Sequence, residues 1–351
     1  MPLIIASLVT AFLITFLFIP VIIKIFKKKK IFDKPGGRKI HKVVKPSMGG
    51  IPIFIGIAVA LFIWMPFDGF KELNYLYGAL LIVFITGVRD DLIPLKPLHK
   101  LIGIVTAAFM VVYLCDIRLN SLYGIFGIYE MPLIVSYVLS VFTIIVITNA
   151  INLIDGLDGL AGSISTIILF TFGVWFYAMN NITFSIVIFA FIGSLIAFLN
   201  FNWEPSKIFM GDTGALLLGF FISVVTIDFI HVNHGLPHTI DFRFDASVSA
   251  AICVIIMPLF DTLRVFISRM MRGKSPFSPD KTHIHHMLLR MGMRHSQAVL
   301  TIGCVNLIFI GIAYLGKDLG DHIMLPLVIG VTLMFSLLLD ILIKRRYFNR
   351  N

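Results

Sequence analysis

Acidic residues are scarce in this chain: 19 of its 351 residues are Asp or Glu, against 29 Lys and Arg. Charged residues of all kinds make up only 14% of it, and 58% are hydrophobic. With a mean hydropathy of +0.96, the chain carries more apolar surface than a soluble domain of this length can hide. It also lacks any stretch that reads as a separate soluble domain, any internal repeat and any low-complexity tract. Residues 1–351 therefore read as a single domain, an all-α polytopic integral membrane protein embedded in the lipid bilayer. Cysteine is rare as well: Cys115, Cys253 and Cys304 lie in or beside apolar runs with no CxxC spacing. They read as small buried hydrophobes and say little about redox compartment. The formal charge of +10 suggests a nucleic-acid partner, but the basic residues flank apolar runs. Attraction to anionic headgroups and the setting of topology account for them, and no nucleic acid is expected.

What is present is a series of apolar runs, about 11 transmembrane helices. They cover roughly 3–23, 48–66, 73–88, 100–115, 132–149, 160–179, 183–200, 214–231, 247–263, 297–315 and 325–343. The runs 73–88 and 100–115 are short for a full span. The first run is not a signal peptide, because its positive charges (Lys24 and Lys27 to Lys30) follow the apolar stretch instead of preceding it. With the N-terminus outside, the inner segments are 24–47, 89–99, 150–159, 201–213, 264–296 and the basic C-terminus from residue 344. In this threading 25 of the 29 Lys and Arg residues fall inside, and only Lys71, Arg118, Arg243 and Lys317 fall outside. That bias predicts a cytoplasmic C-terminus. Asp340, one turn before Lys344, reads as its local partner. The outer segments 116–131 and 232–246 read as ordinary connectors.

The few acids stand out against this background. Asp90, Asp91, Asp155, Asp158, Asp212 and Asp261 each border an apolar run in a short polar motif, all on the inner side. Charge beside hydrocarbon is expensive and usually functional. The pattern predicts one metal-and-phosphate site at one membrane face.

Five motifs carry it. The first inner loop, from Asp33 through Arg38, Lys39 and His41 to Lys45 and Gly50, combines turn-forming Gly and Pro with cations that suit phosphates. Lys27 to Lys30 read as topology signals; for Lys39, His41 and Lys45 both readings stand. In the second, Asp90 and Asp91 are adjacent carboxylates that repel each other unless a cation or a proton-transfer task compensates; pairing with Arg89 at a helix end is the simpler alternative. In the third, Asn149, Asn152, Asp155 and Asp158 recur every third residue. A straight helix would spread them around its axis, so Gly156 and Gly159 predict a break that lets them converge. The fourth holds Asn202, Phe209 and Asp212, the last between glycines at the start of a run. An acid there is either an N-cap or a divalent-ion ligand, and Phe209 is suited to stack on a nucleobase. The fifth runs from Asp261 and Arg264 through Arg269 and Arg272 to His283, His285 and His286. It lacks the companion ligands of a zinc site, and cationic Arg with His suits a diphosphate.

At this point the sequence resembles a known family. The strings GVRDDLIPLK, NAINLIDGLDGLAG, FNWEPSKIFMGDTGALLLG and SPFSPDKTHIHH are similar to those of the polyprenyl-phosphate N-acetylhexosamine-1-phosphate transferases, in the same order and over essentially the whole chain. The last string resembles the branch that starts O-antigen, enterobacterial common antigen or teichoic-acid linkage units. The resemblance implies a bacterial inner-membrane enzyme with its site facing the cytoplasm. Undecaprenyl phosphate attacks the β-phosphorus of a UDP-N-acetylhexosamine, most commonly UDP-GlcNAc, and UMP leaves. Mg²⁺ or Mn²⁺ is the implied cofactor, and a homodimer is the implied assembly. Asp90, Asp91 and Asp155 would be catalytic, with one of the acidic pair near the lipid phosphate; Asp212 and Asp91 would hold the metal. Asn152, Asp158, Asn202 and Phe209 would surround nucleotide and sugar, with Lys45 among the binding residues. Arg269 or Arg272 and the three histidines would bind the diphosphate.

Overall fold

The computed structural model describes residues 1–29, 45–273, 275 and 282–348, and among these every regular element is a helix. Its helices are α1 (Pro2–Lys29), α2 (Gly50–Trp64), α3 (Phe67–Leu92), α4 (Pro97–Leu114), α5 (Leu133–Ile154), α6 (Leu160–Ala178), α7 (Ile182–Asn202), α8 (Gly211–Gly235), α9 (Ser247–Val254), α10 (Ile256–Met271), α11 (Ile284–Arg290), α12 (His295–Leu315) and α13 (Asp321–Phe348). Every expected apolar run is helical, as hydrocarbon demands of a chain that must pair its own backbone. Among the described residues, 9 helices are long and apolar enough to cross a membrane, or 10 if the bent pair α9 and α10 is one span.

Three boundaries differ from expectation. α3 is not short: it extends to Leu92 and carries Asp90 and Asp91 in its last turn instead of in a loop. α2 is the short one, with 15 residues covering about 22 Å at 1.5 Å per residue. The expected span 247–263 is broken by 82° at Ile255. Pro258 explains the break: it has no N–H for the carbonyl of Val254, one turn earlier. That carbonyl instead accepts a hydrogen bond from Asn306 Nδ2 of α12 at 3.2 Å.

α8 is the hub. It is buried along almost its whole length, and α2, α3, α5, α6 and α9 pack around it. α1 and α7 pair at one side, whereas α13 presents mostly exposed apolar residues, as lipid-facing helices do. Small residues bring the hub close: a Cβ on Gly87 of α3 would lie 2.4 Å from Thr213 Cα of α8. That approach sets the end of α3 directly against the start of α8. Cys253 is buried as expected, but Cys304 on α12 is exposed. The segment 232–246 is more than a connector. Asn233 exchanges two hydrogen bonds with the Phe244 backbone, and the Phe242 carbonyl accepts from Trp175 Nε1.

Candidate active site

Four helix ends meet at the N-terminus of α8. Gly159, at φ +80°, ends the turn after α5 in a conformation that favours glycine, and α6 starts behind it. The break turns Asp155 and Asp158 out of the helical spiral, as the glycines predict. Asn202 holds the turn, accepting from Gly159 N at 2.9 Å and donating to Ile208 O at 2.8 Å. Its amide is thus committed to the scaffold under the site. The link before α8 pairs with the segment before α2: Phe209 N donates to Pro46 O, and Gly49 N and Gly50 N donate to Phe209 O and Met210 O, each at 2.9 Å.

The adjacent acids of α3 have separate tasks. Asp91 Oδ1 accepts from Asp212 N at 2.8 Å; Oδ2 accepts from Thr213 N at 2.9 Å and Thr213 Oγ1 at 2.5 Å. Asp91 thus caps α8, meeting the unpaired N–H groups and the positive end of the helix dipole. Asp90 Oδ1 accepts from Leu95 N, and its other oxygen lies 3.3 Å from Lys100 Nζ. Lys100 also donates to Asp212 Oδ1 at 2.5 Å, an oxygen shared with Asn152 Nδ2 at 2.8 Å. Asp155, at the C-terminal cap of α5, has its carboxyl pushed up to about 7. Burial is the main cause, followed by the negative charges of Asp212, Asp91 and Asp158.

A second group lies beside this one. Lys45 Nζ donates to Ser206 Oγ at 2.8 Å, stands 3.7 Å from Asp158 Oδ2 and sits 5.1 Å from the Phe209 ring centroid. His295 Nδ1, at the start of α12, is 3.8 Å from the same Asp158 oxygen.

The histidines approach from α11. His285 Nε2 lies 2.7 Å from where a Cβ on Gly156 would be, so the motif abuts the Asp155 turn. The His285 and His286 ring centroids are 4.2 Å apart. Burial, reinforced by the charge of His286, pulls the His285 imidazole down to about 3. His285 is thus a neutral imidazole near pH 7, and among the described residues neither of its ring nitrogens has a hydrogen-bond partner. Asp261 does not join the other acids. Its carboxylate bonds His283 Nδ1 and Ile284 N, each at 2.8 Å. Arg269 is buried, with its guanidinium 5.8 Å from the Phe266 ring centroid, whereas Arg272 is exposed and donates to Ser268 Oγ on its own helix. Arg38, Lys39 and His41, and most of the string SPFSPDK, lie outside the described residues, as does the Lys344 side chain. Asp340 pairs with Arg264 at 3.5 Å.

Sequence reasoning passed over Lys100, Thr213, Ser206 and His295. Lys100 carried a usable signal: a lysine in the first turn of a helix opposes the dipole and needs an acid partner.

Carboxylates close enough to raise one another's proton affinity suit a hard divalent cation. Among the described residues, no three acid, His or Cys side chains form a closed cage. Mg²⁺ does not need one, because it binds through one or two carboxylates together with substrate phosphates. Asp212 and Asp155 are the acids that could hold it. Asp91 neighbours them with its oxygens turned to the backbone N–H groups of Asp212 and Thr213 and to the Thr213 hydroxyl.

Residues 73–230 match the family model of glycosyl transferase family 4. The chain is 30% identical over 306 residues to the probable undecaprenyl-phosphate N-acetylglucosaminyl 1-phosphate transferase of Bacillus subtilis (strain 168), covering 87% of this chain and 81% of that protein. It is 32% identical over 318 residues to the undecaprenyl-phosphate alpha-N-acetylglucosaminyl 1-phosphate transferase of Escherichia coli (strain K12), covering 87% and 82%. A protein of the same name from Yersinia pestis is 31% identical over 318 residues, covering 87% and 83%.

Proposed function

Because the chain belongs to glycosyl transferase family 4, we propose that it transfers GlcNAc-1-phosphate from UDP-GlcNAc to undecaprenyl phosphate at the cytoplasmic face of a bacterial inner membrane. The observation that carries this reading is the junction at α8, where Asp90 and Asp212 flank the cation of Lys100 and Asp155 lies within reach of the Asp212 charge. A lipid phosphate oxygen attacks the β-phosphorus. The bond from that phosphorus to the bridging oxygen breaks, and UMP leaves. Such a transfer depends on charge neutralisation and in-line positioning more than on covalent help from the protein.

The residues divide the work. A cleft of about 290 Å³ opens beside Lys100, lined by Asp90 and Asn149 on its polar side and by Leu95, Pro97, Leu101 and Ile104 on its apolar side. A cation with an apolar wall suits a phosphate carried on a hydrocarbon chain, so the acceptor enters here. Lys100 fixes the attacking phosphate, and Asp90 holds Lys100. The acceptor phosphate is already largely ionised near neutral pH, so no strong base is required. Lys45, Asp158 and Phe209 receive the uridine: the Phe209 face takes the base once Lys45 turns aside to the phosphates. His283, His285, His286 and Arg269 lie along the diphosphate and sugar, with His285 acting as a neutral hydrogen-bonding group. Asp212 and Asp155 would hold a divalent cation, which would supply charge neutralisation at the diphosphate. Asn152 holds the Asp212 carboxylate in place.

The donor is tested by offering purified protein and undecaprenyl phosphate an equimolar mixture of UDP-GlcNAc, UDP-GalNAc carrying a ¹³C-labelled sugar and UDP-glucose, and weighing the lipid products by mass spectrometry, the label separating the two isomeric sugars. A dominant GlcNAc-diphosphate lipid is expected. A product carrying another sugar overturns the donor assignment. Absence of any lipid-linked sugar overturns the reaction.

A further inference from the structure

The acid that leaves the cluster has a task of its own. Asp261 is buried in α10, and nothing in the transfer chemistry above uses it. Both of its oxygens are engaged with the start of α11, one with Ile284 N and the other with His283 Nδ1. One turn on, Arg264 donates to Thr282 O at 2.5 Å from the same face of α10. These two side chains bring the chain back from the inner segment and set it against α10. His283 is itself buried, and its ring stacks on His285 with centroids 5.6 Å apart. His285 in turn abuts Gly156, next to Asp155.

We propose that Asp261 is a positioning residue for the transfer: it keeps the His283 proton on Nδ1 and so fixes the set of the three histidines against the Asp155 turn. A carboxylate only accepts, so the nitrogen facing it must carry hydrogen. The opposite nitrogen, Nε2, is then left as the one that addresses substrate. The same carboxylate also begins α11, so the ring and the helix that bears it are registered by one group. This inference rests on the proposed reaction.

Asp261→Asn separates registration from simple capping. The Asn carbonyl oxygen still accepts from Ile284 N, but its NH₂ faces His283 Nδ1 and forces the ring into the other tautomer. Removing an orienting partner of a functional histidine costs roughly 10–100-fold or more. Asp261→Asn is expected to lower kcat by roughly that factor, with KM for UDP-GlcNAc within about threefold and the melting midpoint nearly unchanged. His283→Gln keeps an amide near the Nε2 position and lacks the Nδ1 donor. In that background Asp261→Asn should cost no more than about twofold, because the two act as one unit. Wild-type kcat in Asp261→Asn, or independent losses that multiply in the double variant, overturns the proposal. If the variants do not fold, ¹⁵N-histidine NMR of the wild-type protein in nanodiscs decides, with the His283 resonance assigned by selective labelling. A proton on Nδ1 is expected, and an unprotonated Nδ1 overturns the proposal. A wild-type protein that makes no lipid-linked sugar rejects the reaction, whereas the tautomer can be read whether or not the reaction holds.

Discussion

Asp91→Asn tests the division of labour between two neighbouring acids. Asp91 accepts three hydrogen bonds from the first turn of α8, two of them from Thr213, which is fully buried. An asparagine keeps one accepting oxygen and turns an NH₂ toward the other donors. An orphaned buried donor costs about 1–3 kcal/mol, and the lost charge at the helix N-terminus adds about 0.3–2. The total is about 1–5 kcal/mol. With roughly 2.1 cal/mol/K of unfolding entropy per residue, the melting midpoint should fall by about 2–7 °C. Asp212→Asn makes the contrast. The Asp212 side chain is 36% exposed, so its pairing with Lys100 adds little to stability. That variant should melt within about 1 °C of wild type and still lose activity by orders of magnitude if the acid holds catalytic metal. The assay is thermal unfolding in detergent beside UMP release on the same preparations. If Asp91→Asn melts like wild type and loses as much activity as Asp212→Asn, Asp91 acts in the chemistry and the capping argument fails.

Two further outcomes follow from the same geometry. Asp155 titrates near 7 when folded, against 3.8 when unfolded, so the folded protein binds the extra proton in between. The stability of metal-free protein should therefore fall as pH rises from about 4 to 7. Asp155→Asn should lessen that slope, and an unchanged slope would contradict the assignment. Gly156→Ala would set a Cβ 2.7 Å from His285 Nε2, and the buried ring has little room to give. Forcing the turn and α11 apart costs about 1–3 kcal/mol. KM for UDP-GlcNAc should rise by about tenfold in steady-state assays; wild-type kinetics would show that the contact is not part of the site.

Much of this arrangement was legible in the sequence because hydrocarbon leaves the chain few options. Apolar runs had to be helices, and the glycines at 156 and 159 forced the break that turns Asp155 and Asp158 into one site. What pattern could not supply was partner choice. Asp90 and Asp91 are neighbours in sequence but diverge by about 100° around α3, so one faces Lys100 and the other faces α8. Their different tasks depend on the close approach at Gly87, which only the packing reveals. Lys100 read as a topology charge because its partner Asp212 is far along the chain. Pro258 and Asn306 were both visible, but their joint role at the α9–α10 break needed the fold. Asp261 looked like a sixth member of the acid cluster, and only geometry shows that it serves a histidine instead.

The measurement that bears most directly on the account follows the β-phosphate. Purified protein is given undecaprenyl phosphate and UDP-GlcNAc labelled at that phosphorus, with and without Mg²⁺. Label should enter the lipid fraction as one diphosphate for each UMP released, only with metal present, and neither product should form in Asp212→Asn. Label that stays with the nucleotide, or transfer that proceeds unchanged in Asp212→Asn, would contradict a phosphosugar transfer centre at the head of α8.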